Sequence, residues 1–276
     1  MIHPSGIGAL RFAHQAMHTE FEIFCVHRDA GYAQQAAWAA FDLLDRLENE
    51  LSRFIPNSDI SRINAMAAGE SVRVSRWTIE CLTLARQAFD ETGGAFDISL
   101  GTGLESLELC GNAVRGAGLH PGKGERNSPQ LDLGGIGKGY AVDRMAEVLD
   151  EWDIRQALIH GGHSSVLATD APPGFGGWPL TMGELAVTAR RRAFSASGIR
   201  TQGAHIVDPR TGRPVTARAA AWVSLELDGS PSPGALAEAF STAFMILPAA
   251  EVEAIRASHP GMEAWFLETE GKLNAY

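Results

Sequence analysis

Three stretches of this chain carry residue types and spacings that could do chemistry. In ALAEAFSTAF (residues 235–244), Glu238 and Thr242 are four apart and so share one face of a helix. A carboxylate and a hydroxyl together are hard oxygen donors of the kind magnesium takes. Such pairs are common, and alone this one reads as a polar stripe on a surface helix. In HIVDPRTGRPV (205–215), His205 precedes a strong turn signal made by Asp208-Pro209 and Thr211-Gly212. A histidine in that strand-like position could serve as a base near neutral pH, although taken singly it is more often structural. In LDLGGIGKGYAVDRM (131–145), four glycines and Lys138 lie between Asp132 and Asp143, directly ahead of a helical pattern.

That glycine-rich run is not one of the two familiar phosphate motifs. A P-loop needs glycine five residues before its Gly-Lys pair and Ser/Thr after it; here Asp132 and Gly139 stand in those places. The dinucleotide fingerprint, started at Gly135, ends on Tyr140 instead of glycine. Glycine clusters mark left-handed backbone or close approach to another group. A lysine in such a turn before a helix could meet an anion, helped by free amides at the helix start; the alternative is a tight strand–helix turn with a solvated lysine. A fourth stretch, SASGIR (195–200), could bring backbone amides against a ligand or could turn between strands. The neighbouring Arg190-Arg191-Arg192 reads as a solvated charge run.

These residues must be held by ordinary elements. Residues 19–27 alternate as a strand, and Ala37, Phe41, Leu44, Leu47 and Leu51 recur at helical steps. Ser75 is a candidate N-cap for a helix with Ile79, Leu82, Ala85 and Phe89 on one face, stopped at Gly93-Gly94. Val142, Met145, Leu149 and Trp152 predict a helix launched from the glycine-rich run. Residues 156–168 read as a strand interrupted by Gly161-Gly162, and 221–227 as another strand. Ser232-Pro233 opens a helix carrying Leu236, Phe240, Ala243 and Phe244. A closing strand pair is expected around Glu270-Gly271. Helices and strands alternate irregularly, which favours α+β over a doubly wound sheet. The loops at 111–130 and 170–178 read as insertions or lids, and the chain as a single domain.

Composition sets the outer bounds. The 276 residues, 45% hydrophobic and 20% charged, are those of an ordinary globular chain. A net charge of −10 argues against nucleic acid as the primary partner. Cys25, Cys81 and Cys110 form no C-x-x-C pair, so neither a disulfide framework nor a zinc site is expected. The N-terminal residues lack a signal-peptide pattern, and no run approaches the roughly 18 apolar residues of a membrane span. A cytoplasmic location is the expectation; oligomeric state is open.

Read in order, these segments resemble one family, the ApbE-type FAD:protein FMN transferases. MHTEF, LSRFIPNSDISRIN, GGAFDISLGTGLESL, LDLGGIGKGYAVD, IHGGHSS, SASG, HIVDPRTGRPV and AEAFSTAF follow the family's sequence of motifs from about Met17 to Leu267. The resemblance implies an α+β fold with a T-fold-like core, a smaller second lobe and an FAD cleft between them. It implies magnesium-dependent transfer of FMN from FAD to a threonine or serine hydroxyl of a target flavoprotein, releasing AMP. By position, the metal would be held by the Gly137 carbonyl, Glu238 and Thr242. The FAD site would be lined by Gly137, Lys138, Asp143, Gly161, Gly162, Ser197 and Gly198. His205 would be the base for the acceptor hydroxyl, and Asn64 and Asp97 fall at the cleft. Against the family pattern, His18 replaces a glycine, Glu238 and His163 replace aspartates, Ile199 stands where aspartate is common, and Gly137 replaces alanine. The alternatives are an FAD-binding protein without transferase activity and a magnesium-dependent FAD pyrophosphatase.

Overall fold

The computed structural model describes residues 7–99, 101–116, 130–199, 206–215, 218–269 and 271–276. The chain opens with a hairpin, β1 (Leu10–Ala16) and β2 (Thr19–Cys25), followed by α1 (Ala30–Leu51) and α2 (Asp59–Asn64). Next come β3 (Ser71–Arg73), α3 (Arg76–Glu91), β4 (Leu107–Cys110) and β5 (Ala113–Gly116). The glycine-rich run leads into α4 (Gly137–Glu151), then β6 (Ala157–Gly161) and β7 (Ser165–Ala168). A second hairpin, β8 (Trp178–Met182) and β9 (Leu185–Ala189), precedes β10 (Arg192–Gly198). The short pair β11 (Val207–Asp208) and β12 (Arg213–Pro214) is followed by β13 (Arg218–Glu226), α5 (Pro233–Phe244) and α6 (Ala249–Ser258). The chain closes with β14 (Glu263–Glu268) and β15 (Leu273–Ala275).

Most expected elements form where their signals lie. Ser75 caps α3 by accepting from the Thr78 amide, and Gly93 and Gly94 end that helix with left-handed backbone. Pro233 occupies the first turn of α5, where its missing N–H costs nothing. Four features depart from expectation. Helix α1 begins seven residues before Ala37, at Ala30, capped by Asp29. SASG, read as either a ligand-facing run or a turn, is strand, the end of β10. The stretch 111–116, read as part of a long loop, is largely strand β5. The arginines beside SASG are not simply solvated: Arg191 pairs with Asp170 and Asp228, and Arg192 with Glu226 and Glu263.

The large sheet runs β1-β2-β6-β7-β10-β13-β14-β15, every neighbouring pair antiparallel. Helices α1, α4 and α5 cover one face, and α5 lies across β10 and β13. Phe21, Ile23, Ile159, Ala193, Val223 and Phe266 point into that layer and meet Val142, Met145, Leu236 and Phe240. The other face is sealed by the β8–β9 hairpin, whose Trp178, Leu180, Met182 and Leu185 pack on Phe24, Leu158, Val166, Phe194 and Trp222. A small separate sheet, β3-β5-β4, stands beside α2 and α3.

Helices α4 and α5 touch backbone to backbone. A Cβ on Gly139 would fall 2.1 Å from the Gly234 carbonyl oxygen, and one on Gly234 would fall 2.6 Å from the Gly139 carbonyl oxygen. Neither obstacle is a side chain that could swing away. This explains part of the glycine content of the 131–145 run: Gly139 faces another helix. Overpacking usually costs ~1–3 kcal/mol, and here two helices would have to separate. Gly139→Ala should therefore lower unfolding free energy by about 3 kcal/mol or more, read as a fall in the urea midpoint. A drop below about 0.5 kcal/mol would mean that the helices part freely.

Candidate active site

The crossing of α4 and α5 sets the site. Glu238, in the second turn of α5, is buried; its Oε2 accepts from the Gly139 amide at 2.7 Å, and its Oε1 pairs with the Lys138 ammonium. Lys138 also donates to the Gly134 carbonyl at 3.2 Å. The polar stripe expected on a surface helix is thus a buried cluster, and the lysine, read as either anion-binding or solvated, is an ion-pair partner. One turn further along α5, the Thr242 hydroxyl donates to the Glu238 carbonyl at 3.2 Å and lies 3.1 Å from Ser197 Oγ at the end of β10. Ser197 also meets Ser241 at 2.9 Å, and Ser241 donates to the same Glu238 carbonyl. Residues from LDLGGIGKG, SASG and AEAFSTAF therefore converge, as their shared chemistry required.

Three cavities share Lys138 in their lining. One of about 490 Å³ is lined by Phe96, Asp97, Gly135, Ser197, Gly198, Glu238 and Thr242. A second, about 540 Å³, is lined by His18, Gly162, His163, Met182, Ser197, Gly198 and Trp222. The third, about 160 Å³, lies among Arg53, Phe54, Asp132 and Gly137. Lys138 lines all three, and Ser197 and Gly198 line the two larger ones. A cation thus stands in the shared wall of three cavities, an arrangement that suits an elongated ligand with charge in its middle.

The other expected residues divide. Gly162 lines the cleft with φ at +65°, and its missing Cβ would sit 2.6 Å from Thr19 Oγ1. Gly161 is a packing glycine, since its Cβ would come within 3.0 Å of Phe21 and 3.1 Å of Val142. Gly137 opens α4 on the smallest cavity, a different compartment from Glu238 and Thr242. Asp143 does not line the cleft: its carboxylate is buried against α5 and accepts from the Gly234 and Ala235 amides at 2.8 and 2.9 Å. Asn64 clamps the approach to the glycine-rich run, exchanging hydrogen bonds with Leu131 N (2.7 Å) and O (2.9 Å). Asp97 accepts from the Ser99 and Gly101 amides, each at 2.8 Å. His205 lies outside the described residues.

Some lining residues had no role assigned from sequence. Phe54 is exposed, with the Arg53 guanidinium 4.1 Å above its ring and His18 at its edge. Arg53 also donates to Asp132 at 2.9 Å. A single large exposed aromatic beside an arginine is the signal that could have marked this pair. Trp222 and Met182 carried no such signal, because both read as ordinary core.

The sequence model of the ApbE family matches residues 17–266, nearly the whole chain. The chain belongs to the ApbE family. Among ApbE relatives, the FAD:protein FMN transferase of Vibrio cholerae serotype O1 is 24% identical over 229 residues, covering 64% of each chain. One of that name from Treponema pallidum is 25% identical over 300 residues, covering 90% of this chain and 81% of its own. In fold, the chain resembles the apo flavinyl transferase ApbE of Pseudomonas stutzeri, with a TM-score of 0.81 at 21% identity over 97% of this chain and 95% of that one. The Thermotoga maritima ApbE protein gives 0.78 at 18% identity over 96% of each chain. The mixed helix-and-strand fold expected from the ApbE motifs is thus the one observed.

Burial pushes the Asp143 carboxyl up to about 7, against the opposing pull of the Ala235 and Gly234 amides and of Arg144. A carboxyl raised in the folded state holds its proton more tightly there than in the unfolded chain. Its stabilising contribution is therefore complete below pH ~4 and is lost as pH rises through ~7. Asp143→Asn removes the titration. The stability difference between wild type and this variant should shrink from pH 4 to pH 7 by on the order of a few kcal/mol, measured by urea unfolding. A constant difference across that range would place the carboxyl at an ordinary value.

Proposed function

We propose that this protein transfers FMN from FAD to a threonine or serine hydroxyl of a target flavoprotein with the help of magnesium, releasing AMP. The observation that carries this reading is that three cavities share Lys138 in their walls, beside Glu238 and Thr242. FAD is a two-ended molecule with a pyrophosphate at its middle, and the cation stands where such a centre would lie. The names of the relatives from Vibrio cholerae and Treponema pallidum support the same reading.

The donor set fits magnesium. Among the described residues no three His, Cys, Asp or Glu side chains converge; what Glu238 and Thr242 offer is a sparse set of hard oxygens. Magnesium keeps several waters and typically takes one or two carboxylates plus substrate phosphate oxygens. Glu238 and Thr242, on successive turns and facing one cavity, would hold it; the Gly137 carbonyl, the third donor implied by the resemblance, lines the smallest cavity instead. The bound ion would neutralise charge developing on the pyrophosphate.

The chain's own groups have distinct tasks. Gly139 fixes the Glu238 carboxylate through its amide. Ser197 and the Glu238 carbonyl orient the Thr242 hydroxyl. Lys138 offers its ammonium to phosphate oxygens. The acceptor oxygen bonds to the flavin-side phosphorus while the bond to the bridging oxygen breaks, and AMP leaves with that oxygen. His205 takes the acceptor's proton, a role worth about 10²–10⁴-fold in rate.

Incubation with FAD, magnesium and a candidate acceptor should attach FMN to the acceptor and release AMP, both read by mass spectrometry. Glu238→Gln should abolish the magnesium-dependent reaction. His205→Asn should slow transfer by about 10²–10⁴-fold with FAD affinity kept within a few-fold. AMP and free FMN with an unmodified acceptor would replace transfer by hydrolysis. FAD binding without AMP would replace it by a carrier role.

A further inference from the structure

The two oxygens of the Glu238 carboxylate have different partners. Oε2 is fixed by a backbone amide, that of Gly139, at 2.7 Å. Oε1 is held by the Lys138 ammonium, a side-chain partner on a long flexible stem. The glutamate side chain is 5% exposed and the lysine side chain 22%, so the lysine is the partner with room to move. It lines all three cavities, and its other partner is a neutral carbonyl, that of Gly134.

We infer that the Lys138 ammonium and a divalent cation compete for Glu238, so that lysine acts as the resident counter-ion that a metal must displace. This rests on the flavin-transfer reading for the identity of the metal. A buried carboxylate needs a compensating positive charge, and the ammonium supplies one. A divalent ion on Oε1 would sit where the ammonium now bonds, and two cations cannot share that position without strong repulsion. The displaced ammonium borders three cavities and keeps one neutral acceptor, the Gly134 carbonyl. It would then be free for an anionic group in the cleft, so that metal entry releases a phosphate-binding cation. No covalent step is involved; one ionic partner is exchanged for another.

Mn²⁺ is the probe, because its free and bound forms are distinguished by electron spin resonance. In the absence of flavin, Lys138→Met should bind Mn²⁺ about tenfold or more tighter than wild type, within the ~5–150-fold span of typical coupled equilibria. Glu238→Gln should bind it more weakly than either. Equal or weaker binding by Lys138→Met overturns the competition, and if Glu238→Gln is still impaired the flavin-transfer reading of the metal site stands. Mn²⁺ binding indifferent to Glu238 overturns both. A measurement on the unaltered chain covers a poorly folding variant. Acetylation of Lys138 by acetic anhydride, followed by mass spectrometry with Lys272 as internal reference, should quicken several-fold at saturating Mn²⁺. Unchanged Lys138 reactivity at saturation also overturns the inference.

Discussion

The site depends on two helices brought into direct backbone contact. Gly139 and Gly234 permit the approach, and the two carboxylates that flank it make it specific. Asp143 of α4 accepts from the first amides of α5, while Glu238 of α5 accepts from an amide in the first turn of α4. Each helix thus satisfies N-terminal donors of the other, groups that no intrahelical acceptor can reach. The exchange also places the Glu238 side chain at the positive end of the α4 dipole. Once the crossing is fixed, Glu238 and Thr242 have little freedom to be anywhere else.

The sheet supplies the rest of the frame. Ser197 lies at the end of β10, the strand over which α5 packs, so its hydroxyl meets Ser241 and Thr242 without a dedicated loop. Gly162 follows β6, and its left-handed backbone turns the chain along the cleft toward β7. Asn64 acts one layer out: its hydrogen bonds go to the backbone of Leu131, at the approach to the glycine-rich run. Asp97 stands in the cavity wall and accepts from the Ser99 and Gly101 amides. Part of the precision in the centre therefore comes from groups set back from it.

Much of this was legible in the sequence where one signal had one cause. The Ser75 cap, the Pro233 start and the Gly93-Gly94 stop are local, and each formed as its chemistry required. The Glu238–Thr242 spacing correctly gave a shared helix face, but spacing says nothing of burial. A polar pair on a covered helix has the same pattern as one on an exposed helix. The family resemblance puts Asp143 at the FAD site by motif position; in the fold its carboxyl accepts from amides about ninety residues away, on a helix no local rule connects to it. The same limit hid Trp222 and Met182. A residue that is core on one side and cleft wall on the other looks like any apolar residue in a strand.

The two walls of the cleft belong to separate apolar clusters. Lys138, Glu238 and Thr242 hang from the helix layer, whereas Met182 and Trp222 belong to the cluster beneath the β8–β9 hairpin. Gly183, at the hairpin's turn, lies against Trp222. Insertions or replacements at that turn would reshape the cavity beside Trp222 while leaving the ion-bearing centre intact. The fold thereby separates two kinds of evolutionary change: the reacting centre can stay constant while the hairpin side drifts toward a different fit.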